Sequence, residues 1–91
     1  MEWKLFADLA DVGGDRRVDV EVPADATVGD ALDALLAARP ALRDRVLTED
    51  GDLREHVNVT RNGEDVRAAD GLDTPVEAGD ELAMFPPVSG G

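Results

Sequence analysis

The stretch that decides the fold is TVGDALDALLAARP, Thr27–Pro40. Thr27 followed three residues later by Asp30 resembles a capping box, in which the threonine side chain caps the first turn of a helix. Apolar residues then recur at helical spacing and form one stripe: Val28, Ala31, Leu32, Leu35 and Leu36. Pro40 predicts the end of the helix, because the residue before a proline disfavours helical backbone. We therefore predict one amphipathic helix that buries a single face.

Two segments before this helix alternate polar and apolar residues, which is the period of a half-buried strand. They are residues 2–8 and residues 17–22. The apolar residues Leu9, Ala10 and Val12, followed by Gly13-Gly14, predict the turn of a hairpin between them. The inner face of the first segment consists of Trp3, Leu5 and Ala7.

Strand patterns return after the helix. Residues 56–60 alternate, and Asn62-Gly63 is a strong signal for a tight hairpin turn, with Val66 in a short return strand. Residues 80–85 form the last predicted strand, and the prolines that follow cannot donate the hydrogen bonds of a sheet. The order ββαβ(β)β predicts an α+β domain, in which a mixed four- to five-stranded sheet packs one face on the main helix.

Composition excludes several classes of function. The 91 residues include no cysteine and only one histidine, His56, so we expect no metal site and no catalytic nucleophile or relay of the chain's own. Nucleic-acid binding is not expected either, because it needs clusters of lysine and arginine. The sequence has no apolar run of about 18 residues and no secretory signal, so we expect a soluble cytoplasmic protein without membrane contact.

The acidic surplus has two explanations. The chain has 21 acidic and 9 basic residues and a net charge of −12. The acids are spread along the whole chain, which favours adaptation to molar salt, where charges are screened within about 3 Å. The alternative is an acidic docking surface for a basic partner.

Three side chains on the polar sides of the first and last strands are candidates for a functional surface. If these strands are neighbours, Phe6 and Phe85 form an exposed apolar patch of the kind that marks partner contact. The alternative is that a bulge turns one ring into the core. Lys4, the only lysine, points to the same face and is either an acceptor amine for acylation or an ordinary solvated lysine.

The end of the sequence predicts a flexible diglycine tail, residues 86–91, attached to a domain over residues 1–85. Pro86 and Pro87 direct the chain away from the sheet, since proline fixes φ. Gly90 and Gly91 have no Cβ, so their backbone can thread a narrow channel. A carboxylate is a poor electrophile and must be adenylated before sulfur or an amine can attack it. We expect a partner enzyme to perform that step.

The segment DELAMFPPVSGG, residues 80–91, resembles the terminal motif of the molybdopterin synthase small subunit and its relatives, the small archaeal ubiquitin-like modifiers. The resemblance continues in WKLFADLADVGG, ATVGDALDALLAARPAL and HVNVTRNGE, so it covers nearly the whole chain. The acidic composition is similar to that of a haloarchaeal modifier. The resemblance implies a β-grasp (ubiquitin-like) fold.

The resemblance also implies a function at the end of the chain. An E1-like enzyme adenylates Gly91 with ATP, so the protein is a substrate or carrier, not an enzyme, and holds no cofactor of its own. Gly90 and Gly91 match the activated tail, and no processing protease is needed to expose them. The implied contact surface comprises Phe6, Phe85, Pro86, Pro87 and Val88.

Two fates of the activated tail follow from the resemblance. One is a thiocarboxylate that donates sulfur for molybdopterin synthesis or tRNA thiolation, and the other is an isopeptide bond to lysines of target proteins. The implied partners of this monomer are the E1-like enzyme, the target proteins, the large subunit of molybdopterin synthase and a deconjugating metalloprotease. Two alternatives stay open, namely a dedicated synthase subunit that never conjugates and a non-covalent module with an inert tail.

Overall fold

The structure, a computed structural model, describes residues 1–86, and within this range it contains five strands and three α-helices. The strands are β1 (Glu2–Leu5), β2 (Arg17–Asp19), β3 (Asn58–Arg61), β4 (Glu64–Asp65) and β5 (Glu81–Phe85). The helices are α1 (Asp8–Gly13), α2 (Val28–Ala38) and α3 (Arg43–Val46), and short 3-10 turns lie at Pro40–Leu42, Val66–Ala68 and Gly71–Asp73. None of the helices in this range is both long enough and apolar enough to cross a membrane.

The strands form one mixed sheet in the order β2-β1-β5-β3-β4. β1 and β5 are parallel neighbours at its centre, with Trp3 opposite Leu82 and Leu5 opposite Met84, and every other pairing is antiparallel. The helices lie on one face of the sheet and leave the other face open. This is the β-grasp arrangement, and the predicted α+β fold class is confirmed.

The main helix forms where the capping signal predicts it. The Thr27 hydroxyl accepts a hydrogen bond from the Asp30 amide at 3.2 Å, and the Asp30 carboxylate accepts one from the Thr27 amide at 3.0 Å. The five stripe residues of α2 are all buried. On the facing sheet Trp3 is also fully buried, and its Nε1 donates a hydrogen bond to the Ala31 carbonyl oxygen at 3.0 Å. The core therefore lies between α2 and the central strands.

The first predicted strand is too long, and the turn predicted over residues 9–14 is wrong in part. β1 ends at Leu5, and Ala7 is exposed instead of lying on the inner face, because its φ of 52° breaks the extended backbone. The chain then forms α1, which turns Leu9 into the core and ends at Gly14 with a left-handed φ of 88°. The predicted turn thus contains a six-residue helix.

Other strand boundaries also differ from the prediction: β3 covers Asn58–Arg61 instead of residues 56–60, and β5 begins at Glu81 instead of residue 80. The second strand ends at Asp19, three residues earlier than expected, after which the Val20 amide donates to the Met1 carbonyl oxygen at 2.8 Å. Val66 does not lie in the return strand, because the Asp65 side chain accepts a hydrogen bond from the Arg67 amide and starts a 3-10 turn. The hairpin itself is confirmed, since Asn62 and Gly63 have φ values of 52° and 86°, as a type I′ turn requires.

Candidate functional site

The parallel pairing of β1 and β5 brings the two phenylalanine rings together. The ring centroids of Phe6 and Phe85 are 4.5 Å apart and the rings are nearly parallel, with an interplanar angle of 12°. Phe6 is 40% exposed and Phe85 is half-buried, so neither ring belongs to the core. The Phe6 amide donates a hydrogen bond to the Met84 carbonyl oxygen at 3.3 Å, which holds the two strand ends side by side. We call Phe6 and Phe85 the aromatic pair.

Small and polar side chains continue the open face beyond the aromatic pair. Lys4 lies opposite Ala83, which in turn lies opposite Thr60 on β3. The Lys4 ammonium forms an ion pair with the Glu81 carboxylate at 3.1 Å, and the lysine side chain is 28% exposed. Lys4 therefore lies on the face where the sequence predicts it, and its role as an acceptor stays a prediction.

Arginines lie on both sides of the aromatic pair. Arg67 donates a hydrogen bond to Asn58 Oδ1 at 3.2 Å, and Asn58 lies directly opposite Phe85 in the sheet. On the other side, Arg16 and Arg17 line a groove of about 430 Å³ that also includes Phe6. The sequence-based prediction missed these arginines, because their position relative to the rings depends on the pairing of distant strands.

The chain leaves the sheet next to the aromatic pair. β5 ends at Phe85, and Pro86 follows as a half-buried residue outside the strand. The predicted tail residues Pro87, Val88, Gly90 and Gly91 lie outside the described residues. A partner that covers the aromatic pair would therefore also cover the point from which the tail starts.

The opposite end of β5 is held by Asp80, another residue that the prediction missed. Its carboxylate accepts hydrogen bonds from Asn62 Nδ2 at 2.9 Å, from the Glu77 amide at 2.7 Å and from Arg61 Nε at 2.7 Å. The pKa of Asp80 is lowered from its ordinary value of 3.8, first by the Asn62 hydrogen bond, then by the Glu77 amide and by Arg61, while burial opposes the shift. This cluster anchors the start of the strand that carries Phe85.

The side chains at the aromatic pair and in the groove beside it suit contact with another protein. Within residues 1–86 no three histidine, cysteine or acidic side chains are grouped so as to hold a metal ion. His56 is exposed just before β3, on neither the aromatic pair nor the groove. The geometry is suited to binding a protein beside the start of the tail.

Comparisons with known proteins agree with this arrangement. The model of the ThiS family matches residues 3–91. Small archaeal modifier protein 1 of Haloferax volcanii is 64% identical over the full length of both chains. The crystal structure of SAMP1 from the same organism has a TM-score of 0.93 and 63% identity, covering 100% of this chain and 98% of that chain.

Two more distant relatives extend the comparison. A candidate sulfur carrier protein of Archaeoglobus fulgidus is 36% identical over 74 residues, which are 80% of this chain and 84% of that protein. A chain of the BexX/CysO complex from Amycolatopsis orientalis has a TM-score of 0.83 and 31% identity, covering 99% of this chain and 98% of that chain.

Proposed function

Because this chain belongs to the ThiS family, we propose that it is a ubiquitin-like modifier and sulfur carrier that acts through the carboxylate of Gly91. Its full-length similarity to small archaeal modifier protein 1 supports the modifier role. Its similarity to a candidate sulfur carrier protein supports the second role. The resemblance drawn from the tail motif is confirmed at the level of the family.

The chemistry of the proposal takes place at one carbonyl carbon. The Gly91 carboxylate attacks the α-phosphate of ATP in the active site of an E1-like enzyme, which forms an acyl adenylate and releases pyrophosphate. Attack on the acyl carbon by a sulfide-level donor expels AMP and gives a thiocarboxylate. Attack by a lysine amine instead expels AMP, loses a proton and leaves an isopeptide bond. ATP belongs to the enzyme, and this chain supplies only the acyl group.

The observation that carries the proposal is the position of the aromatic pair beside Pro86. Exposed aromatic rings are typical centres of protein interfaces, since they bury a large apolar area at low entropic cost. An enzyme that binds Phe6 and Phe85 receives the chain just where it leaves the sheet. Binding energy from the domain can then position a tail that is itself too small to be bound tightly.

The direct test removes Gly90 and Gly91 and incubates the shortened chain with an E1-like enzyme and ATP. We expect the full chain to form an adenylate, and in cells to form thiocarboxylate and lysine adducts, all visible by intact mass. The shortened chain should form none of them while keeping its Trp3 fluorescence, because Trp3 is fully buried in the core. Adducts that persist after the deletion would refute the proposal.

A second candidate is a dedicated subunit of molybdopterin synthase, and the similarity of DELAMFPPVSGG to that subunit's terminal motif favours it. Such a subunit would insert its tail into the large subunit and never modify proteins. The modifier role requires target proteins and, for recycling, a deconjugating metalloprotease. Remnants of the Ser-Gly-Gly tail on lysines of cellular proteins, detected by mass spectrometry, support the modifier, whereas their complete absence favours the dedicated subunit.

A further inference from the structure

The groove beside the aromatic pair carries a charge opposite to that of the whole chain. It lies between the end of β1, helix α1 and the segment that leads into β2, and its lining includes Lys4, Phe6, Ala7, Ala10, Arg16 and Arg17. Asp11 is the one acidic residue in that lining, so three cations face one anion. In the whole chain the acidic residues are in excess instead, with 21 acidic and 9 basic residues. A third of its cations are therefore concentrated in one groove.

Two of these cations are available for contacts with another molecule. Within residues 1–86 the Arg16 guanidinium has no carboxylate within ion-pair distance. Arg17 has only a 3.9 Å contact with Glu2, and its side chain is 65% exposed. Other arginines of the chain are paired closely, for example Arg39 with Asp15 at 2.9 Å.

Resting on the proposed function, we propose that this groove docks an acidic segment of the E1-like enzyme. Arg16 and Arg17 donate hydrogen bonds to carboxylates of that segment, while an apolar side chain next to them lies on Phe6, Ala7 and Ala10. Guanidinium groups suit this contact because their planar array of N–H donors matches a carboxylate with two hydrogen bonds. The apolar and cationic side chains of the groove thus fit a segment that carries both an apolar side chain and carboxylates.

The net charge of −12 does not prevent this contact. In molar salt the Debye length is about 3 Å, so repulsion between two acidic proteins is screened beyond contact distance, whereas hydrogen-bonded charge pairs in a groove are screened much less. This assigns the cationic groove, and not the acidic remainder of the surface, as the charged part of the docking site. The groove therefore does not support the alternative that the chain docks a basic partner through an acidic surface.

The first test compares Arg16→Glu with Arg43→Glu in a titration of the full-length chain with the purified E1-like enzyme. Both arginines are exposed, and each change takes the net charge from −12 to −12 − 2 = −14. Arg43 lies on α3, on the helical side of the sheet. We expect Arg16→Glu to raise Kd about tenfold, which corresponds to about 1.4 kcal/mol, and Arg43→Glu to leave Kd within about twofold. Equal Kd values for the two variants would overturn the proposal.

The second test does not depend on affinity. Because the chain has no cysteine, Arg16→Cys and Arg43→Cys each place one maleimide photocross-linker at a defined position. We expect cross-links from position 16 to an enzyme segment that contains aspartate or glutamate, and none from position 43. Cross-links from position 16 to a segment without acidic residues, or to a second copy of this chain, would overturn the proposal.

The two proposals fail in different ways. If the wild-type chain forms no Gly91 adenylate with the enzyme and ATP, the proposed function is wrong. If the wild-type chain is adenylated normally and Arg16→Glu behaves like Arg43→Glu, only the assignment of the groove is wrong.

Discussion

The Nε1 of Trp3 donates a hydrogen bond to the carbonyl oxygen of Ala31 at 3.0 Å, in the buried layer between the sheet and the main helix. It joins the central strand β1 to α2 across 28 residues of sequence. Within residues 1–86, every buried polar side-chain atom has a hydrogen-bond partner, and this bond supplies the partner of the Trp3 Nε1.

Trp3→Phe removes this bond together with part of a fully buried ring. We expect a loss of about 2 kcal/mol in the free energy of unfolding, from one hydrogen bond and a small cavity. Urea unfolding followed by far-ultraviolet circular dichroism measures it, because the variant lacks the only tryptophan. Phe6→Leu is the matched control on the open face and should cost less than about 1 kcal/mol. A similar loss in both variants would contradict the assignment of Trp3 to the core.

Phe85→Ala should weaken binding to the E1-like enzyme by about 2 kcal/mol or more, because exposed aromatic residues often dominate interface energies. The loss of stability should be near 1 kcal/mol, the scale of one stacked aromatic pair. Titration calorimetry and thermal unfolding measure the two effects. Met84→Ala is the matched control, since Met84 is fully buried and should lower stability by about 2–5 kcal/mol. A large drop in melting temperature with unchanged binding would place Phe85 in the core instead.

Asp80→Asn should change how stability depends on pH. The pKa of Asp80 is lowered in the folded state, so its contribution is present above its ordinary pKa of 3.8 and is lost as pH falls through the folded-state value. The variant should be less stable than the wild type at pH 7, and the difference should shrink in strong acid. Urea unfolding at a series of pH values tests this. Asp33→Asn, an exposed change of equal charge on α2, should show no such convergence.

Low salt should destabilise the fold, because a net charge of −12 is then poorly screened. We expect the melting temperature to fall by on the order of 5 °C or more between molar and millimolar potassium chloride, if repulsion costs about 1 kcal/mol. The combined variant Glu49→Gln, Asp50→Asn and Asp52→Asn neutralises three exposed loop acids and takes the net charge to −12 + 3 = −9. The melting temperature of this variant should depend less on salt concentration than that of the wild type. A flat melting temperature across this range would argue against screening as the reason for the acidic composition.

The elements that could be predicted are those whose signal is local. Thr27 and Asp30 form both bonds of the capping box, and Asn62-Gly63 has the positive φ values that its turn needs. Helix α1 could not be predicted in this way, because its first turn has no side-chain cap and follows Ala7 at φ 52°. A helix of six residues also contains too few turns to show a periodic stripe.

For the candidate site, strand alternation predicts which side chains are exposed, but it does not predict which strands are neighbours. Alternation places Phe6 and Phe85 on the open side of their strands, and their stacking then depends on the parallel pairing of β1 with β5. The cationic groove was missed because Arg16 follows α1, whose existence had no local signal. The predicted tail residues after Pro86 lie outside the described residues, so the role of Gly91 stays a proposal.

The parallel pair at the centre of the sheet also constrains the order of folding. β1 is synthesised first, yet its neighbour β5 comes 79 positions later, from Glu2 to Glu81. Until residues 81–85 exist, Trp3 and Leu5 lack the strand that completes their layer, and contacts between such distant residues form slowly. A chain that stops short of β5 thus lacks both the sheet's centre and the segment that leads to Gly91. Only a chain that has reached its last strand can therefore complete the sheet and carry the segment from which the tail starts.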